Sequence, residues 1–405
     1  MTPRPSSVRL PGPRLLSAVG ADYPAHLDAL GALPNLGTRQ VELLALDAGL
    51  TGRGGAGFPT GRKLAAVRDS TGHAVVIGNG AEGEPASSKD RVLLTTAPHL
   101  VLDGLALAAT AVDADQVHLY APSDLLDDVI APALAQRQDR IAVSLVPASD
   151  LFLSGQETAA VRAVEGRPAI PRITPPPVFI RGVHGRPTLV QNVETLAHLA
   201  LIGRFGANWF RSAGTEAEPG TRLVTVSGGV ARPDVYEIAG GSSIGEVLDL
   251  AGGIAEPVQA VLVGGYHGGW VPYPDETANL PLTRESLAPY DAAPGAGVLI
   301  ALPASRCGLQ AAADITLYLA GQNAGQCGPC RNGLPTLAML LDALAYGRTS
   351  QDLVDEISRI AGLVDGRGAC HHPAGTIRLV RSALRTFSDE IRRHIGGGCI
   401  SRRFT

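Results

Sequence analysis

A glycine-rich stretch near the start of the chain combines a permissive backbone with a rare cation. It reads Gly52-Arg53-Gly54-Gly55-Ala56-Gly57-Phe58-Pro59-Thr60-Gly61-Arg62-Lys63, with five glycines in its first ten residues. Glycine lets a backbone turn tightly or approach a ligand, and successive free N–H groups in such a loop bind anions. Lys63 is one of only two lysines among the 34 basic residues. The stretch predicts a loop for a phosphate-bearing nucleotide or cofactor, although a plain flexible turn has the same composition.

The cysteines form a second set of residues with the right chemistry for a functional site. Two of them stand in Cys327-Gly328-Pro329-Cys330, a spacing that lets neighbouring thiolates bind one metal ion or cluster. Cys370 lies between two later helical segments, so three thiolates converge if these loops lie at one end of a bundle. The alternatives are a zinc site completed by His371 or His372, and three unconnected buried thiols. A thioredoxin-like use of the motif is disfavoured because no βαβ pattern surrounds it.

The segments that must position the glycine stretch alternate between strand and helix patterns. Strands are predicted at His73–Gly78, Gln116–Tyr120 and Ile141–Val146, and helices at 36–50, Val101–Val112, Ser123–Gln136 (with Ser123 as N-cap) and Thr188–Arg204. This alternation indicates a parallel α/β sheet, which binds ligands in loops beyond the carboxyl ends of its strands. The sequence Asn79-Gly80-Ala81-Glu82-Gly83-Glu84-Pro85 follows the first strand directly and is therefore a predicted part of the site.

Two further units follow the α/β unit. Strands at Arg222–Val226, Asp234–Ile238 and Gln259–Val263, around a short helix opened by the capping box Ser243–Glu246, predict a small β-grasp domain. It has no obvious catalytic set, and we interpret it as a spacer or docking module. In the last unit, apolar residues recur every three or four positions, which predicts a four-helix bundle built from Ala312–Leu319, Leu337–Tyr346, Leu353–Leu363 and Ile377–Ile395.

Composition excludes several classes of function. The 405 residues carry a net charge of −4 and 4% aromatic residues, which argues against a nucleic-acid surface. No apolar run approaches the roughly 18 residues that a membrane span needs, and no signal-peptide pattern is present. Five cysteines, all at or after position 307, do not form a disulfide framework. We therefore expect a cytoplasmic protein in a reducing compartment, without a transmembrane segment.

Taken together and in order, the motifs resemble the NADH-binding flavoprotein subunit of respiratory complex I and its relatives in NAD-reducing hydrogenases and formate dehydrogenases. The likeness runs collinearly from about residue 36 to about residue 395 and is that of a divergent member. Its matching stretches are Gly52–Lys63, Asn79–Arg91, Gly155–Ala159, Glu165–Pro168, Asn192–Thr195, Val226–Gly241, Cys327–Pro335, and Cys370 with Pro373–Gly375.

The resemblance implies a fold and an activity. The fold is an α/β Rossmann-like FMN domain, a β-grasp domain of SLBB type, and a C-terminal four-helix bundle with an iron–sulfur site. The expected domains are an arm at 1–35, the FMN domain at 36–215, the β-grasp domain at 216–305 and the bundle at 306–405. The activity is transfer of electrons between NAD(P)H or a redox partner such as a ferredoxin-like subunit, FMN, and a [4Fe-4S] or [3Fe-4S] cluster.

The resemblance also implies roles for individual residues. The FMN phosphate would be held by Gly54, Gly55, Gly57 and Lys63. Asn79 and Glu82 would lie near the ribityl chain and ring, and the pocket would be completed by Gly155, Glu157, Asn192 and Thr195. Glu84 and Phe58 would lie on the nicotinamide side. The cluster ligands would be Cys327, Cys330 and Cys370.

Several departures from the family pattern bear on these roles. The first cysteine of the cluster motif is Ala324, so a cluster is either [3Fe-4S] or a [4Fe-4S] completed by Cys307, Cys399, His372 or water. Acidic residues are replaced by Ala81 and Gln156. The groups that clamp NADH by stacking and charge are replaced by Ala66, Thr174 and Pro177. We therefore expect FMN to be retained more readily than NADH. The alternative is a degenerate docking subunit of a redox complex that no longer binds NADH.

Overall fold

The computed structural model describes residues 14–16, 22–173, 176–274, 277–347 and 350–399. Most of the predicted arm at 1–35, and Thr174 among the NADH-clamp positions, therefore lie outside the described residues. Within the arm, helix α1 spans Tyr23–Leu30 and begins at the N-cap Asp22, whose carboxylate accepts a hydrogen bond from the backbone of Ala25.

The α/β unit contains a four-stranded parallel sheet covered on both faces. Its elements in order are α2 (Thr38–Asp47), α3 (Thr60–Arg68), β1 (Ala74–Asn79), α4 (Lys89–Thr96), α5 (Pro98–Ala111), β2 (Ala114–Ala121), α6 (Ser123–Leu125), a π-helical turn (Leu126–Ile130), α7 (Ala131–Ala135), β3 (Val143–Pro147), α8 (Glu157–Val164), β4 (Thr188–Asn192) and α9 (Val193–Arg211). Alternate residues of β1 face opposite layers. Val76 packs with α5 and α9, whereas Val75 and Ile77 pack with α8.

The order of the sheet places a ligand-binding crevice at the end of β1. The strand order is β3-β2-β1-β4, so the chain leaves β1 for β2 on one side and later returns as β4 on the other side. A parallel α/β sheet binds ligands at such a point of reversal, beyond the carboxyl ends of the strands. The last residues of β1 and β4, Asn79 and Asn192, are paired neighbours at this edge.

The predicted strands and helices of this unit are confirmed with two exceptions. Residues 188–192 form strand β4, so the prediction of one helix over Thr188–Arg204 was wrong at its start. The apolar pattern misled because β4 runs into α9 without a loop, with the Asn192 side chain capping α9 at Glu194 N (3.0 Å). The second exception is Ser123, which lies inside α6, because Pro122 occupies the N-cap position.

The β-grasp unit is a five-stranded mixed sheet of order β6-β5-β9-β7-β8. Its elements are β5 (Thr221–Gly228), β6 (Asp234–Ala239), α10 (Ile244–Leu250), β7 (Val258–Val263), β8 (Gly269–Pro272), α11 (Arg284–Leu287) and β9 (Val298–Pro303). The predicted capping box is confirmed, since Ser243 and Glu246 exchange side chain-to-backbone hydrogen bonds. Strands β8 and β9 were not predicted from the sequence.

The last unit is a helical bundle. Its elements are α12 (Gly308–Gly321), a π-helical turn (Pro329–Gly333), α13 (Leu334–Tyr346), α14 (Gln351–Val364), α15 (His372–Thr386) and α16 (Ser388–Ile395). The segment predicted as one helix at 377–395 breaks at Phe387 into α15 and α16. The bundle is joined to the β-grasp sheet at Trp270, whose backbone N–H donates to Ser382 Oγ (3.0 Å) and whose carbonyl accepts from Thr386 Oγ (3.0 Å).

None of the described helices is alone long and apolar enough to cross a bilayer. Helices α4 and α5, which meet at a 97° bend, reach the required length and composition only as a pair.

Candidate functional site

A cavity of about 760 Å³ lies at the carboxyl end of β1, where the three units meet. This volume lies within the usual range of small-molecule and cofactor sites. Its walls come from the glycine stretch and the loops after β1 and β4, from the turns 264–268 and 291–296 of the β-grasp unit, and from residues 370–372 and Arg378 of the bundle. The β-grasp unit therefore forms a wall of the site, which the interpretation of it as a spacer or docking module does not include.

The predicted site residues divide into two groups. Those that line the cavity are Gly54, Gly55, Asn79, Glu82, Glu84, Gly155, Asn192 and Cys370. Those that lie outside the lining are Gly57, Phe58, Lys63, Glu157, Thr195, Cys327 and Cys330.

Only the first half of the glycine stretch forms the cavity floor. Residues Arg53–Ala56 lie between the end of β4 and the turn of the β-grasp unit at Gly295. A Cβ atom at Gly54 would lie 3.4 Å from Asn192 Cβ, and one at Gly55 would lie 3.8 Å from Ala296 N. Gly55 has φ 110°, a conformation that side-chain-bearing residues rarely adopt. The backbone can therefore approach a ligand closely here.

The second half of the stretch turns away from the cavity, and Lys63, which is predicted to hold the phosphate, does not line it. Helix α3 begins at Thr60, whose N–H donates to Leu50 O (2.8 Å). This helix carries Lys63 to Glu157, where Nζ lies 2.9 Å from the carboxylate Oε2 and 2.7 Å from Val190 O. Neither charge of this pair lines the cavity. Phe58, whose residue surface is 55% exposed, also lies outside the lining.

The lysine that lines the cavity is Lys89, at the start of α4. Its side chain is 3% exposed, and Nζ lies 2.6 Å from Asp90 Oδ1 and 2.9 Å from Glu194 Oε2. Burial alone would lower the pKa of Lys89, but these two carboxylates raise it above its ordinary value, so the side chain is charged. The rarity of lysine was the sequence signal for this residue, although it did not reveal which of the two lysines reaches the site.

Arg53 supplies a second buried cation, which the sequence did not single out. Its Nη2 donates to Thr221 O (3.0 Å) and its Nη1 to Thr51 Oγ (2.9 Å), while its backbone N–H donates to Thr195 Oγ (2.8 Å). Its Nε is buried and has no hydrogen-bond acceptor among the described residues. Burial lowers the pKa of Arg53 to about 10, which still leaves the guanidinium charged at neutral pH. Thr195 thus holds the backbone of the glycine-rich stretch in place from outside the cavity.

The polar residues at the strand ends mainly hold the surrounding loops in place. Asn79 Nδ2 donates to Gly155 O (2.8 Å), and Asn192 Nδ2 donates to Asp90 Oδ2 (2.7 Å). Glu82 accepts from the backbone N–H groups of Asp90 and Arg91 (3.1 Å each), which satisfies the start of α4. These side chains line the cavity and fix its shape.

Glu84 connects the α/β unit to the β-grasp wall. Its Oε2 accepts from the backbone N–H of Tyr266 (2.8 Å) and its Oε1 from that of Ala86 (3.3 Å). Burial raises the pKa of Glu84 to about 7, and the two backbone hydrogen bonds only partly oppose this rise. The carboxyl group therefore changes charge near neutral pH.

Glu84 is expected to make the stability of the ligand-free protein pH-dependent. Between the ordinary pKa of 4.5 and about 7, the folded carboxyl keeps a proton that the unfolded chain has lost, so stability falls as pH rises through this window and then levels off. Because the side chain is only partly buried, we expect roughly 1–2 kcal/mol. The Glu84→Gln variant should lose this contribution, which Tm values at pH 5 and pH 8 will measure. The exposed Glu285→Gln serves as control, and an unchanged pH dependence in Glu84→Gln would contradict the assignment.

The three predicted cluster cysteines lie in adjoining loops at one end of the bundle. The Cys327 thiol accepts backbone hydrogen bonds from Ala369 and Cys330; despite the opposing effect of burial, these lower its pKa. The Cys330 thiol is buried, which with the neighbouring thiols raises its pKa to about 12, and it accepts a hydrogen bond from the backbone of Ala324. Cys370 precedes α15 and lines the cavity. The cysteine loops therefore adjoin the cavity wall.

The three thiols lie near one another without meeting at one point. Cys327 and Cys330 share a side-chain hydrogen bond, but no group of three ligand atoms within 4.8 Å of one another includes these cysteines among the described residues. A single zinc ion needs all its ligands around one centre, whereas each cysteine of an iron–sulfur cluster binds a different iron atom. As described, the three thiols do not form the compact group that a single zinc ion requires.

None of the side chains considered as a fourth ligand is placed to serve. Cys307 precedes α12, whose 14 residues separate it by about 20 Å from the loop that carries Cys327. Cys399 lies beside Cys307. Both ring nitrogens of His372 are engaged, Nε2 with Leu319 O (2.9 Å) and Nδ1 with His267 Nε2 (3.0 Å). If a cluster is bound, these positions favour a three-iron or a water-completed cluster over one completed by Cys307, Cys399 or His372.

A parallel α/β domain with a glycine-floored cavity at its switch point, walled by a thiol-bearing bundle, defines a nucleotide-cofactor redox protein. Comparison with family models agrees: residues 46–201 match the Nuo51 FMN-binding domain, residues 223–269 the SLBB domain, and residues 310–394 the NADH-ubiquinone oxidoreductase-F iron-sulfur binding region. The chain belongs to the family of NADH-quinone oxidoreductase F subunits.

Individual relatives support this membership along most of the chain. The NADH-quinone oxidoreductase F subunit of Mycobacterium bovis is 31% identical over 386 residues, covering 87% of this chain and 84% of that protein. The corresponding protein of Streptomyces coelicolor is 31% identical over 372 residues (87% and 82%), and that of Escherichia coli is 28% identical over 380 residues (89% and 85%).

A solved structure supports the same fold. The crystal structure of NAD⁺-reducing [NiFe]-hydrogenase in the H₂-reduced state superposes with a TM-score of 0.82 at 31% identity. The match covers 88% of this chain but only 62% of the hydrogenase chain, so the present chain spans less than two thirds of that protein's length.

Proposed function

We propose that the chain is a flavin- and iron–sulfur-dependent electron-transfer oxidoreductase subunit, with FMN in the cavity and a cubane-type cluster on Cys327, Cys330 and Cys370. The observation that carries the proposal is the position of Cys370. Cys370 lines the same cavity as the floor glycines and the two buried cations, Lys89 and Arg53. Its loop also adjoins the loop of Cys327. A cofactor in the cavity would therefore adjoin a cluster on these thiols. A reducing, cytoplasmic location fits this use of thiols.

The residues of the cavity fit an anionic flavin nucleotide. The floor at Gly54 and Gly55 lacks side chains, and Arg53 Nε is a buried donor without a hydrogen bond among the described residues, although Glu194 Oε1 lies 4.0 Å away. Arg284 of the β-grasp unit donates to Ala56 O (3.0 Å), which adds a third cation beside the floor. We assign the phosphate to this corner, with Arg53 and Arg284 in the role that the sequence gave to Lys63.

When bound, FMN supplies the exchange between two-electron and one-electron chemistry. The chain's own residues then orient it and exclude water. Lys89 keeps a positive charge beside the strand ends, and Glu84 holds or releases a proton at its carboxyl near neutral pH. Phe152 packs against the His267 and His372 rings (centroids 4.7 and 5.6 Å from that of Phe152), and these three rings line the same cavity as Cys370. The electron donor would be NAD(P)H or a redox partner, and the acceptor a ferredoxin-like or other redox subunit.

The lining of the cavity favours FMN over NADH. Phe152 is the only Phe, Tyr or Trp among the described lining residues, and Ala66 and Pro177 replace the family's stacking aromatics. Losing a base-stacking aromatic costs about 1–3 kcal/mol, or roughly 5- to 150-fold in affinity for each. This observation supports the second candidate, a docking subunit of a redox complex that no longer binds NADH.

Anaerobic titration is expected to separate these functions. The protein purified without oxygen should carry flavin and iron, and dithionite should bleach the flavin fully. NADH should bleach it only at concentrations far above micromolar, because two stacking aromatics are missing. Flavin absorbance during both titrations provides the measurement. A protein that stays colourless after reconstitution with FMN, iron and sulfide would reject the electron-transfer function and leave the docking role.

A further inference from the structure

A second group of metal-type ligands lies at the opposite end of α12 from the cluster cysteines. The Cys307 and Cys399 sulfurs and a ring nitrogen of His394 all lie within 4.8 Å of one another. Cys307 immediately precedes α12, His394 lies in the last turn of α16, and Cys399 follows the glycines 396–398 that fold the chain back. In the turn formed by these glycines, Gly397 N donates to His394 O (3.0 Å) and Gly398 N donates to Arg393 O (2.9 Å). The backbone thus holds Cys399 beside the end of α16.

The hydrogen bonds of His394 orient it as a ligand. Its Nδ1 lies 3.1 Å from Leu344 O, and its Nε2 lies 3.4 Å from Cys307 Sγ. Because a carbonyl oxygen only accepts, Nδ1 carries the proton and Nε2 presents its lone pair toward the thiol. A metal-binding histidine typically donates its other ring N–H to a carbonyl or carboxylate in this manner.

A buried carboxylate stands beside this group. Glu390 is 4% exposed, and its Oε2 accepts from Gly308 N (2.8 Å) and lies 3.3 Å from Cys307 Sγ. Its other oxygen, Oε1, is buried without a hydrogen-bond partner in the described ranges. A buried carboxylate oxygen without a donor is costly, and a cation would satisfy it.

We propose that Cys307, His394 and Cys399 form a structural zinc site, distinct from the iron–sulfur ligands, with the buried Glu390 carboxylate in contact with Cys307. Two thiolates and one imidazole suit Zn²⁺, which prefers tetrahedral sulfur and nitrogen ligands. Binding releases the two thiol protons and involves no change of oxidation state. The ion would join the start of α12 to the end of α16, and so fasten the last helix to the bundle.

The competing use of these residues is a disulfide between Cys307 and Cys399. It would form by two-electron oxidation and would leave Nε2 of His394 and Oε1 of Glu390 without a cation. The same experiment distinguishes the two, because zinc binding requires both thiols to be reduced.

Metal analysis of anaerobically purified holoprotein tests the proposal. We expect about one zinc per chain, lost in Cys399→Ser and strongly reduced in His394→Gln, with the iron content unchanged in both. The Cys330→Ser variant should lose iron and keep zinc, and His73→Gln, which changes an exposed histidine of the α/β unit outside the cavity lining, should keep both. Cobalt supplied in place of zinc should give the visible absorption of tetrahedral thiolate coordination in the wild type and not in Cys399→Ser.

Several results would overturn the zinc site. They are a wild type without zinc even after zinc is supplied, a Cys399→Ser variant with the wild-type zinc content, and a Cys307–Cys399 disulfide found by peptide mapping under alkylating conditions. Should a variant fail to fold, chelation of the wild type replaces it: removing zinc should lower Tm while the iron–sulfur absorbance persists, and an unchanged Tm would contradict a structural role.

Discussion

The Cys330→Ser variant is expected to contain almost no iron while it retains FMN. Cys330 is 1% exposed, and it is one of only three thiols in the loops beside the cavity. A cuboidal cluster that already has one ligand fewer than usual cannot be held by two cysteines, so iron should fall from three or four atoms per chain to near zero. Flavin reduced by dithionite should then fail to pass electrons to a one-electron acceptor at the wild-type rate. Iron, sulfide and flavin analyses of one preparation provide the measurement.

The chain offers a matched control and a reciprocal variant for this experiment. Cys307→Ser makes the same change at a buried thiol that precedes α12, at the end of this helix opposite to the Cys327 loop. It should leave the iron content unaltered. Ala324→Cys restores a thiol at the position whose backbone N–H bonds to the Cys330 sulfur. It should raise the iron content to four per chain if the wild type holds three. A Cys330→Ser protein with wild-type iron would show that the cluster lies elsewhere.

The order of the elements could be predicted from sequence because local patterns determine it. The buried strand before Asn79 and the amphipathic helices of the bundle follow from hydrophobic periodicity. The strand at 188–192 was misread because β4 passes into α9 without a turn, although Asn192 followed by Glu194 is a recognisable N-cap signal. Periodicity detects a change of element only when polar or turn residues mark it.

The walls of the cavity could not be predicted because they depend on how the units pack. His267 of the β-grasp unit and His372 of the bundle are 105 positions apart and lie 3.0 Å from each other through their ring nitrogens. The family resemblance implies that Lys63 holds the phosphate, whereas helix α3 places its ammonium group beside Glu157. Lys89 lines the cavity because two buried carboxylates compensate its charge. Such contacts join residues that are far apart in the sequence, so the spacing of motifs along the chain does not reveal them.

The Gly54→Leu variant is expected to bind FMN roughly 5- to 150-fold more weakly than the wild type. Gly54 forms the cavity floor, and a Cβ there would already contact Asn192 at 3.4 Å, so the rest of a leucine side chain has to occupy cavity space. Overfilling a well-packed site costs about 1–3 kcal/mol, which corresponds to roughly 5- to 150-fold in affinity. Gly54→Ala adds only the ordinary contact with Asn192 and should lose far less. Quenching of flavin fluorescence on titration of cofactor-free protein measures each affinity.

Two comparisons decide whether the floor contacts the phosphate in particular. Gly362→Leu introduces the same side chain on an exposed face of α14, where no atom lies within 4 Å, and should leave FMN affinity unchanged. Riboflavin lacks the phosphate, so the wild type should prefer FMN strongly, because a phosphate gains charge-assisted hydrogen bonds from buried arginine. If Arg53–Ala56 hold the phosphate, Gly54→Leu should reduce this preference as well as the affinity. Equal weakening of FMN and riboflavin would instead place the isoalloxazine ring over the floor, and unchanged binding of both would remove the glycine stretch from the site.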